Sequence, residues 1–185
     1  MKRLFIAIPF QTEDHFRKEW NAIKNLLSID NIKWIPEENL HITLKFLGET
    51  ADEQIPDICE IIDHTFKNQK SELIHWNKIG IFGSHYKPRV IWLGCKEEDL
   101  LRNMYDRLKT NLESAGFEYD RQNFVPHISL ARLKKPVDKY RISQITEKYH
   151  NFELQTQLIK EVVLMESILK PNGAEYQILH CSNFS

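Results

Sequence analysis

Two short segments of the sequence carry residues that could perform acid–base chemistry. Segment 41–44 reads HITL and segment 127–130 reads HISL, so each has a histidine, an apolar residue, a hydroxyl and an apolar residue. In a β-strand, successive side chains alternate between the two faces. A strand therefore places the imidazole and the hydroxyl of each segment on one face and the aliphatic residues on the other.

Two imidazoles that share a cleft are suited to phosphoryl transfer. One can take a proton from an attacking water while the other gives a proton to the leaving oxygen, and the pKa of histidine near neutrality suits both tasks. The hydroxyls of Thr43 and Ser129 can donate hydrogen bonds to non-bridging phosphate oxygens. The residues alone leave open which of His41 and His127 is the acid. The other six histidines share no motif, and we interpret them as surface or structural residues.

The elements that must position these segments occur twice. Hydrophobic periodicity predicts strand 2–9, helix 12–27, strand 41–46 and helix 50–68, followed by strand 90–95, helix 98–115, strand 127–133 and helix 138–149. Each histidine segment lies on the third element of its copy. A duplicated unit with a pseudo-twofold axis would bring both polar faces to one cleft. No low-complexity linker separates the copies, so we expect a single domain over 1–185 with halves near 1–88 and 89–185.

The C-terminal region completes this organisation. Strands are also predicted over 71–81, 152–158, 161–169 and 175–181, and the turn signal at 171–173 joins the last two into a hairpin. We expect this hairpin to cross between the two lobes.

The composition limits the classes of function. Lys plus Arg is 25 and Asp plus Glu is 26, for a net charge of −1, whereas proteins that coat nucleic acid along many phosphates are strongly basic. We therefore expect contact with no more than a short stretch or an end of a nucleic acid. No apolar run approaches the roughly 20 residues of a membrane span, and no signal-peptide pattern is present. The three widely spaced cysteines exclude a disulfide scaffold and indicate a cytoplasmic protein.

Several longer stretches carry a resemblance to a known family. They are 3–8 (RLFIAI), 39–49 (NLHITLKFLGE), 89–94 (RVIWLG), 126–132 (PHISLAR), Glu166 with Ser167, and Tyr176. With these stretches the chain resembles the 2H phosphoesterase superfamily and, within it, the bacterial and archaeal RNA 2′,3′-cyclic phosphodiesterases, also called 2′–5′ RNA ligases. Position 129 is Ser where that family usually has Thr, which predicts slightly looser positioning of the hydroxyl.

The resemblance implies a fold and an activity. The fold is α+β, a duplicated bilobal arrangement with two mainly antiparallel sheets that face a central cleft and helices outside. The activity is metal-independent hydrolysis of a terminal 2′,3′-cyclic phosphate to a 2′-phosphate. In it His41 is the proton donor, His127 the proton acceptor, and Thr43, Ser129 and Arg132 bind the phosphate. Reversal of the reaction would give ATP-independent 2′–5′ ligation.

Two basic residues raise a geometric question. Strict alternation from His127 places Arg132 on the opposite face, so its strand must bend, bulge or end for the guanidinium to reach the cleft. The same alternation places Lys45 on the face of His41. Further basic residues follow Arg132, and we interpret them as solvated, with guidance of RNA phosphates as the alternative: Lys134, Lys135, Lys139 and Arg141.

Other functions stay open at this point. A 2H phosphodiesterase can act on a small cyclic phosphate or a 2′–5′ oligonucleotide, and a non-catalytic RNA-end binder is a further possibility. A metallohydrolase is disfavoured, because no His-x-His or His-x-x-x-His pair lies near an acidic cluster. The expected partners are RNA 3′ ends or small cyclic nucleotides. We expect no metal, no cofactor, no membrane and no obligate protein partner, and a monomer.

Overall fold

The strands and helices alternate along most of the chain. The computed structural model describes residues 1–28, 32–117, 123–171 and 173–185. Its helices are α1 (Asp14–Leu26), α2 (Ile55–Phe66), α3 (Glu98–Ser114) and α4 (Lys139–Lys148). Its strands are β1 (Lys2–Pro9), β2 (Lys33–Trp34), β3 (His41–Thr50), β4 (Glu72–Ser84), β5 (Lys87–Cys95), β6 (Ile128–Arg132), β7 (Gln155–Ile159), β8 (Glu161–Lys170) and β9 (Gly173–Asn183).

The predicted elements are present, and most of their bounds agree within a few residues. The largest difference is the helix predicted over 50–68, which begins at Ile55 as α2. Strand β3 continues to Thr50 and a 3₁₀ turn spans Asp52–Gln54, so these residues are not free to start the helix. Pro56 then lies in the first turn of α2, where its missing N–H leaves no helical hydrogen bond unmade. In the turn predicted at 171–173, residue 172 lies outside the described residues.

The described strands form one antiparallel sheet of nine strands in the order β7-β4-β5-β6-β3-β1-β8-β9, with β2 paired to β6. The two sheets expected from the sequence are the two halves of this sheet. They meet where β3 pairs with β6, at the register pair Ile42 and Ile128. The α+β class and the duplication are confirmed.

The two halves exchange strands. Strand β4 follows α2 in the first copy but pairs with β5 of the second copy. Strand β8 follows α4 in the second copy but pairs with β1 of the first. The β8–β9 hairpin is therefore part of the half of the sheet that contains His41.

The apolar residues of the helices and of one sheet face form a single core. Helix α1 contributes Phe16, Trp20 and Ile23, which recur at helical spacing and are buried. The strands contribute alternate residues such as Ile42 and Ile128. This core spans both halves, so the seam between β3 and β6 is fixed from one side by packing.

A second, smaller apolar cluster lies on the opposite face of β1 and β8. It contains Phe5, Ala7, Val163 and Met165, with Tyr176 of β9 packed against it. Residues 4–8 of β1 are consequently buried on both faces. This cluster forms an apolar wall on the face to which His41 belongs.

Candidate active site

The two histidine segments lie side by side at the seam between β3 and β6. Ile42 pairs with Ile128 in antiparallel register. One residue further along each strand, this register places His41 opposite Ser129 and Thr43 opposite His127. Because Ile42 and Ile128 are buried in the main core, the imidazoles and hydroxyls lie together on the other face.

Both imidazoles are oriented by the same kind of hydrogen bond. The Nδ1 atom of His41 is 2.8 Å from the carbonyl oxygen of Asn39, and Nδ1 of His127 is 2.7 Å from that of Val125. A carbonyl only accepts, so each Nδ1 carries the proton and donates it. Each histidine therefore presents Nε2 as its reactive nitrogen.

The two hydroxyls differ in their contacts. The Oγ1 atom of Thr43 is 2.9 Å from Nε2 of His41, and with a neutral imidazole the hydroxyl is the donor. Within the described residues, Ser129 makes no corresponding bond to His127. The first motif is thus internally hydrogen-bonded, whereas Nε2 of His127 has no such partner in the described part of the chain.

A β-bulge explains which face of the sheet Arg132 occupies. The register between β5 and β6 skips Leu130, so this residue has no partner on β5. Leu130 and Ala131 are both buried, and Arg132 is exposed. A bulge shifts the alternation by one residue, which returns Arg132 to the face of His127 and Ser129. The strand bulges as the sequence required.

The first motif contains the same bulge, and this corrects the position of Lys45. The register between β1 and β3 skips Leu44, after which Lys45 pairs with Ile6. Directly paired residues project to the same side, and Ile6 belongs to the main core. Lys45 therefore lies on the core side of β3, where it is buried, and the expectation that it shares the histidine face was wrong. Phe46 takes the place equivalent to Arg132 and is 63% exposed.

Aromatic rings enclose both histidines. The ring of His41 lies 4.9 Å from Phe5 and 5.4 Å from Tyr176, centroid to centroid. The ring of His127 lies 4.7 Å from Phe82 and 6.5 Å from Trp92. These contacts support each imidazole and shield part of its surface from water.

Glycine makes room for the indole beside His127. A Cβ atom at Gly80 would fall 2.2 Å from the ring of Trp92, and one at Gly94 would fall 2.7 Å from it. The indole consequently lies close over the backbone of β4 and β5. The glycines at positions 80 and 94 are the sequence signal that the ring of Trp92 lies flat on the sheet.

The aromatic surroundings change the protonation of both histidines. Burial is the main cause that lowers the pKa of His41 to about 4; the bond to Asn39 opposes this shift and the charge of His127 adds to it. Burial also lowers the pKa of His127, and the charge of Arg132 acts in the same direction. Both imidazoles are therefore biased towards the neutral form, and the electrostatic influence of Arg132 on His127 agrees with its place on that face.

The remaining polar clusters do not suggest a second centre of this kind. His75 contacts Glu97 at 2.7 Å and His180 contacts Asp63 at 2.9 Å, which ties neighbouring elements together. Among residues 1–28, 32–117, 123–171 and 173–185, no group of three His, Cys, Asp or Glu side chains is placed to hold a metal ion. No helix in these ranges is long and apolar enough to cross a membrane.

A duplicated α+β fold with two histidine–hydroxyl strands meeting at its seam defines a phosphoesterase. The model of the LigT-like phosphoesterase family matches the chain twice, over residues 6–92 and 93–176. The chain belongs to this family, which confirms the resemblance seen in the sequence.

Individual relatives cover nearly the whole chain. The RNA 2′,3′-cyclic phosphodiesterase of Archaeoglobus fulgidus is 32% identical over 179 residues, 96% of this chain and 97% of the relative. That of Thermotoga maritima is 32% identical over 183 residues, 98% and 95% of the two chains.

Solved structures share the fold. The protein TT0787 of Thermus thermophilus has a TM-score of 0.77 at 24% identity and covers 98% of this chain and 97% of its own. Escherichia coli LigT complexed with 3′-AMP has a TM-score of 0.74 at 20% identity, with 100% and 98% covered.

Proposed function

We propose that this chain hydrolyses the 2′,3′-cyclic phosphate at the end of an RNA to a 2′-phosphate without a metal ion. The observation that carries the proposal is the placement of His41, Thr43, His127 and Ser129 on one face at the seam. Both Nδ1 atoms are committed to carbonyl groups, which leaves both Nε2 atoms directed to the reaction. The curated relatives named RNA 2′,3′-cyclic phosphodiesterase support the substrate class.

In the proposed reaction one imidazole accepts a proton and the other donates one. Nε2 of His127 takes a proton from water as the water oxygen attacks phosphorus. The bond between phosphorus and the 3′ oxygen breaks, and Nε2 of His41 gives its proton to that oxygen. The product has a 3′-hydroxyl and a 2′-phosphate, and exchange with solvent restores both imidazoles. A bound anionic phosphate favours the protonated form of His41 and so opposes its lowered pKa.

Three side chains are assigned to the phosphate. The guanidinium of Arg132 supplies a fixed positive charge on the His127 side of the cleft. The hydroxyls of Thr43 and Ser129 donate to non-bridging oxygens, and Thr43 gives up its bond to His41 when it does so. These donors stabilise the negative charge that increases on the phosphate oxygens in the transition state.

The proposal extends to the reverse reaction and to the state of the protein. Attack by a 5′-hydroxyl in place of water would join two RNA ends through a 2′–5′ bond without ATP. RNA 3′ ends and small cyclic nucleotides are the proposed ligands, and the 3′-AMP bound by E. coli LigT supports a nucleotide in the cleft. We propose a cytoplasmic monomer of one domain, with halves near 1–88 and 89–185 and no cofactor.

The decisive experiment is hydrolysis of a short RNA that ends in a 2′,3′-cyclic phosphate, in excess EDTA. The wild type and His127→Ala are compared, and the position of the product phosphate is determined by ³¹P NMR. We expect turnover to a 2′-phosphate by the wild type and almost none by the variant.

Each other outcome contradicts a stated part of the proposal. Activity that requires added metal would overturn the two-histidine mechanism. Turnover of a small cyclic nucleotide but not of the RNA would change the substrate class. Tight binding of the cyclic end with no turnover would make the protein an RNA-end binder.

A further inference from the structure

Two positive charges lie directly opposite each other beside the histidine cleft. Lys33 on β2 pairs with Arg132 on β6 in antiparallel register, and both side chains are exposed. Directly paired residues project to the same face, and like charges in such a pair destabilise the sheet. Among the described residues, no carboxylate forms an ion pair with either side chain. This arrangement is unfavourable for the free protein and becomes favourable when anionic groups bind beside the two side chains.

The fold aligns Lys33 with the active site. Strand β2 and strand β3 lie one after the other along the same edge of β6, since Lys33 pairs with Arg132 and Ile42 with Ile128. Ile35, between them, donates its backbone N–H to the carbonyl of Leu130 at 2.9 Å. Arg132 lies four residues after Ile128 along β6. At about 3.3 Å per strand residue, the pair of Lys33 and Arg132 is therefore roughly 13 Å from the pair of Ile42 and Ile128 at the seam.

The orientation of Lys33 follows from its neighbours. Trp34, the next residue, pairs with Ala131 and packs against the main core. Because alternate residues project to opposite faces, Lys33 projects to the other face. That is the face to which the bulge at Leu130 returns Arg132.

We propose that Lys33 binds the internal phosphate on the 5′ side of the terminal nucleotide of an RNA substrate. This inference rests on the proposed function, in which Arg132 holds the terminal phosphate at the histidines. Lys33, directly opposite Arg132 on the neighbouring strand, then contacts the next phosphate of the chain. The chemistry it recognises is a single anionic phosphodiester, so an oligonucleotide is a better substrate than a mononucleoside cyclic phosphate.

The charge distribution favours an end-binding site over a long track. The net charge of the chain is −1, which favours contact with a few phosphates over a long basic track. Lys134 and Lys135 follow Arg132 and are exposed, which extends the positive charge of Lys33 and Arg132 by a short distance. A site of this size matches the last two phosphates of an RNA.

The test compares three substrates. They are uridine 2′,3′-cyclic phosphate, the dinucleotide that carries the same cyclic end, and that dinucleotide with a neutral methylphosphonate linkage in place of the internal phosphate. The proteins are the wild type, Lys33→Gln, and the control Lys18→Gln, which removes an exposed lysine of α1. We measure kcat and KM for each combination of protein and substrate.

We expect the wild type to show a KM for the charged dinucleotide about fivefold below that for the neutral one, the size of an exposed ion pair. Lys33→Gln should lose this difference and leave the mononucleotide unchanged. Lys18→Gln should behave as the wild type. Raising the salt concentration should reduce the advantage of the charged dinucleotide in the wild type only.

Several results would overturn the inference. One is equal KM values for the charged and neutral dinucleotides in the wild type. Another is an unchanged preference in Lys33→Gln. A third is an equal loss on all three substrates, which would place Lys33 in the fold or at the terminal phosphate. Failure of the proposed function is distinct, because it would appear as no turnover of any substrate by the wild type.

Discussion

Segments 41–46 and 127–132 have the same backbone and different chemistry. Each begins with a histidine whose Nδ1 donates to the carbonyl two residues earlier, and each has a bulge at its fourth residue. Their burial patterns are the same residue by residue. They differ at the sixth residue, where one has Phe46 and the other has Arg132.

The difference shows how a symmetric fold acquires a direction. The shared features present both Nε2 atoms in the same way, so in the proposed mechanism the duplicated backbone provides the pair of proton carriers. The unshared residues then distinguish the two sides. The His41 side is apolar, with Phe5 and Tyr176 against the imidazole, and the His127 side has the positive charge of Arg132.

The largest expected effect tests what the two segments share. His41→Ala and His127→Ala should each lower kcat by about 10²–10⁴-fold, the usual contribution of a general acid or base. His150→Ala removes an exposed histidine and serves as the control. Rapid-quench measurement of single turnovers separates chemistry from binding. If either variant kept the wild-type rate, the role of that histidine would be wrong.

The next effect tests what the two segments do not share. Arg132→Gln should lower kcat/KM by about tenfold to a hundredfold, because a charged donor to the phosphate is lost. The same change at the equivalent position, Phe46→Gln, removes no charge and should cost less than about threefold. Both variants are assayed on one cyclic-phosphate RNA. Equal losses would show that the electrostatic difference between the halves is unimportant.

The pH dependence follows from the lowered pKa values. Activity of the free enzyme needs one neutral and one protonated imidazole, and both pKa values lie below the ordinary 6.5. As the pH rises, the imidazoles therefore lose their protons before neutrality is reached. We expect kcat/KM to peak at a pH below 6.5 and to fall above it. Arg132→Gln removes a charge that lowers the pKa of His127, so the limb of the profile that reports His127 should move to higher pH. Profiles measured from pH 4 to 8 that coincide for both proteins would contradict this.

The smallest effects concern the hydroxyls. Thr43→Ala and Ser129→Ala should each lower kcat by about fivefold, the size of one hydrogen bond. Thr43→Ala should be the more severe, because Thr43 also contacts Nε2 of His41. Ser129→Thr keeps the hydroxyl and should stay within about twofold of the wild type. A larger loss in Ser129→Ala than in Thr43→Ala would reverse the comparison.

The sequence predicted the histidine strands well because their signal is local. Alternation of polar and apolar residues in segments 41–44 and 127–130 is a property of the chain itself, and the structure places the four candidate residues, His41, Thr43, His127 and Ser129, on one face as expected. The repeat of strand, helix, strand and helix predicted the duplication for the same reason.

What the sequence could not predict depends on partners from other strands. A bulge is a property of two paired strands, so neither the reorientation of Lys45 nor that of Phe46 could be derived from alternation alone. The roles of the Asn39 and Val125 carbonyls need the turn of the chain before each strand. The pair of Lys33 with Arg132 depends on β2 lying beside β6, and the sequence of a short strand does not indicate which strand it pairs with.

The exchange of strands between the halves has a consequence during synthesis of the protein on the ribosome. Strand β1 is translated long before β8, one of the strands that pair with it. The half of the sheet that contains His41 therefore stays incomplete until β8 and β9 have left the exit tunnel. A nascent chain stopped after α4 would expose the apolar residues of β1 that β8 covers, and such a surface is prone to aggregation. Completion of the candidate active site is thereby linked to the emergence of β8 and β9 from the ribosome.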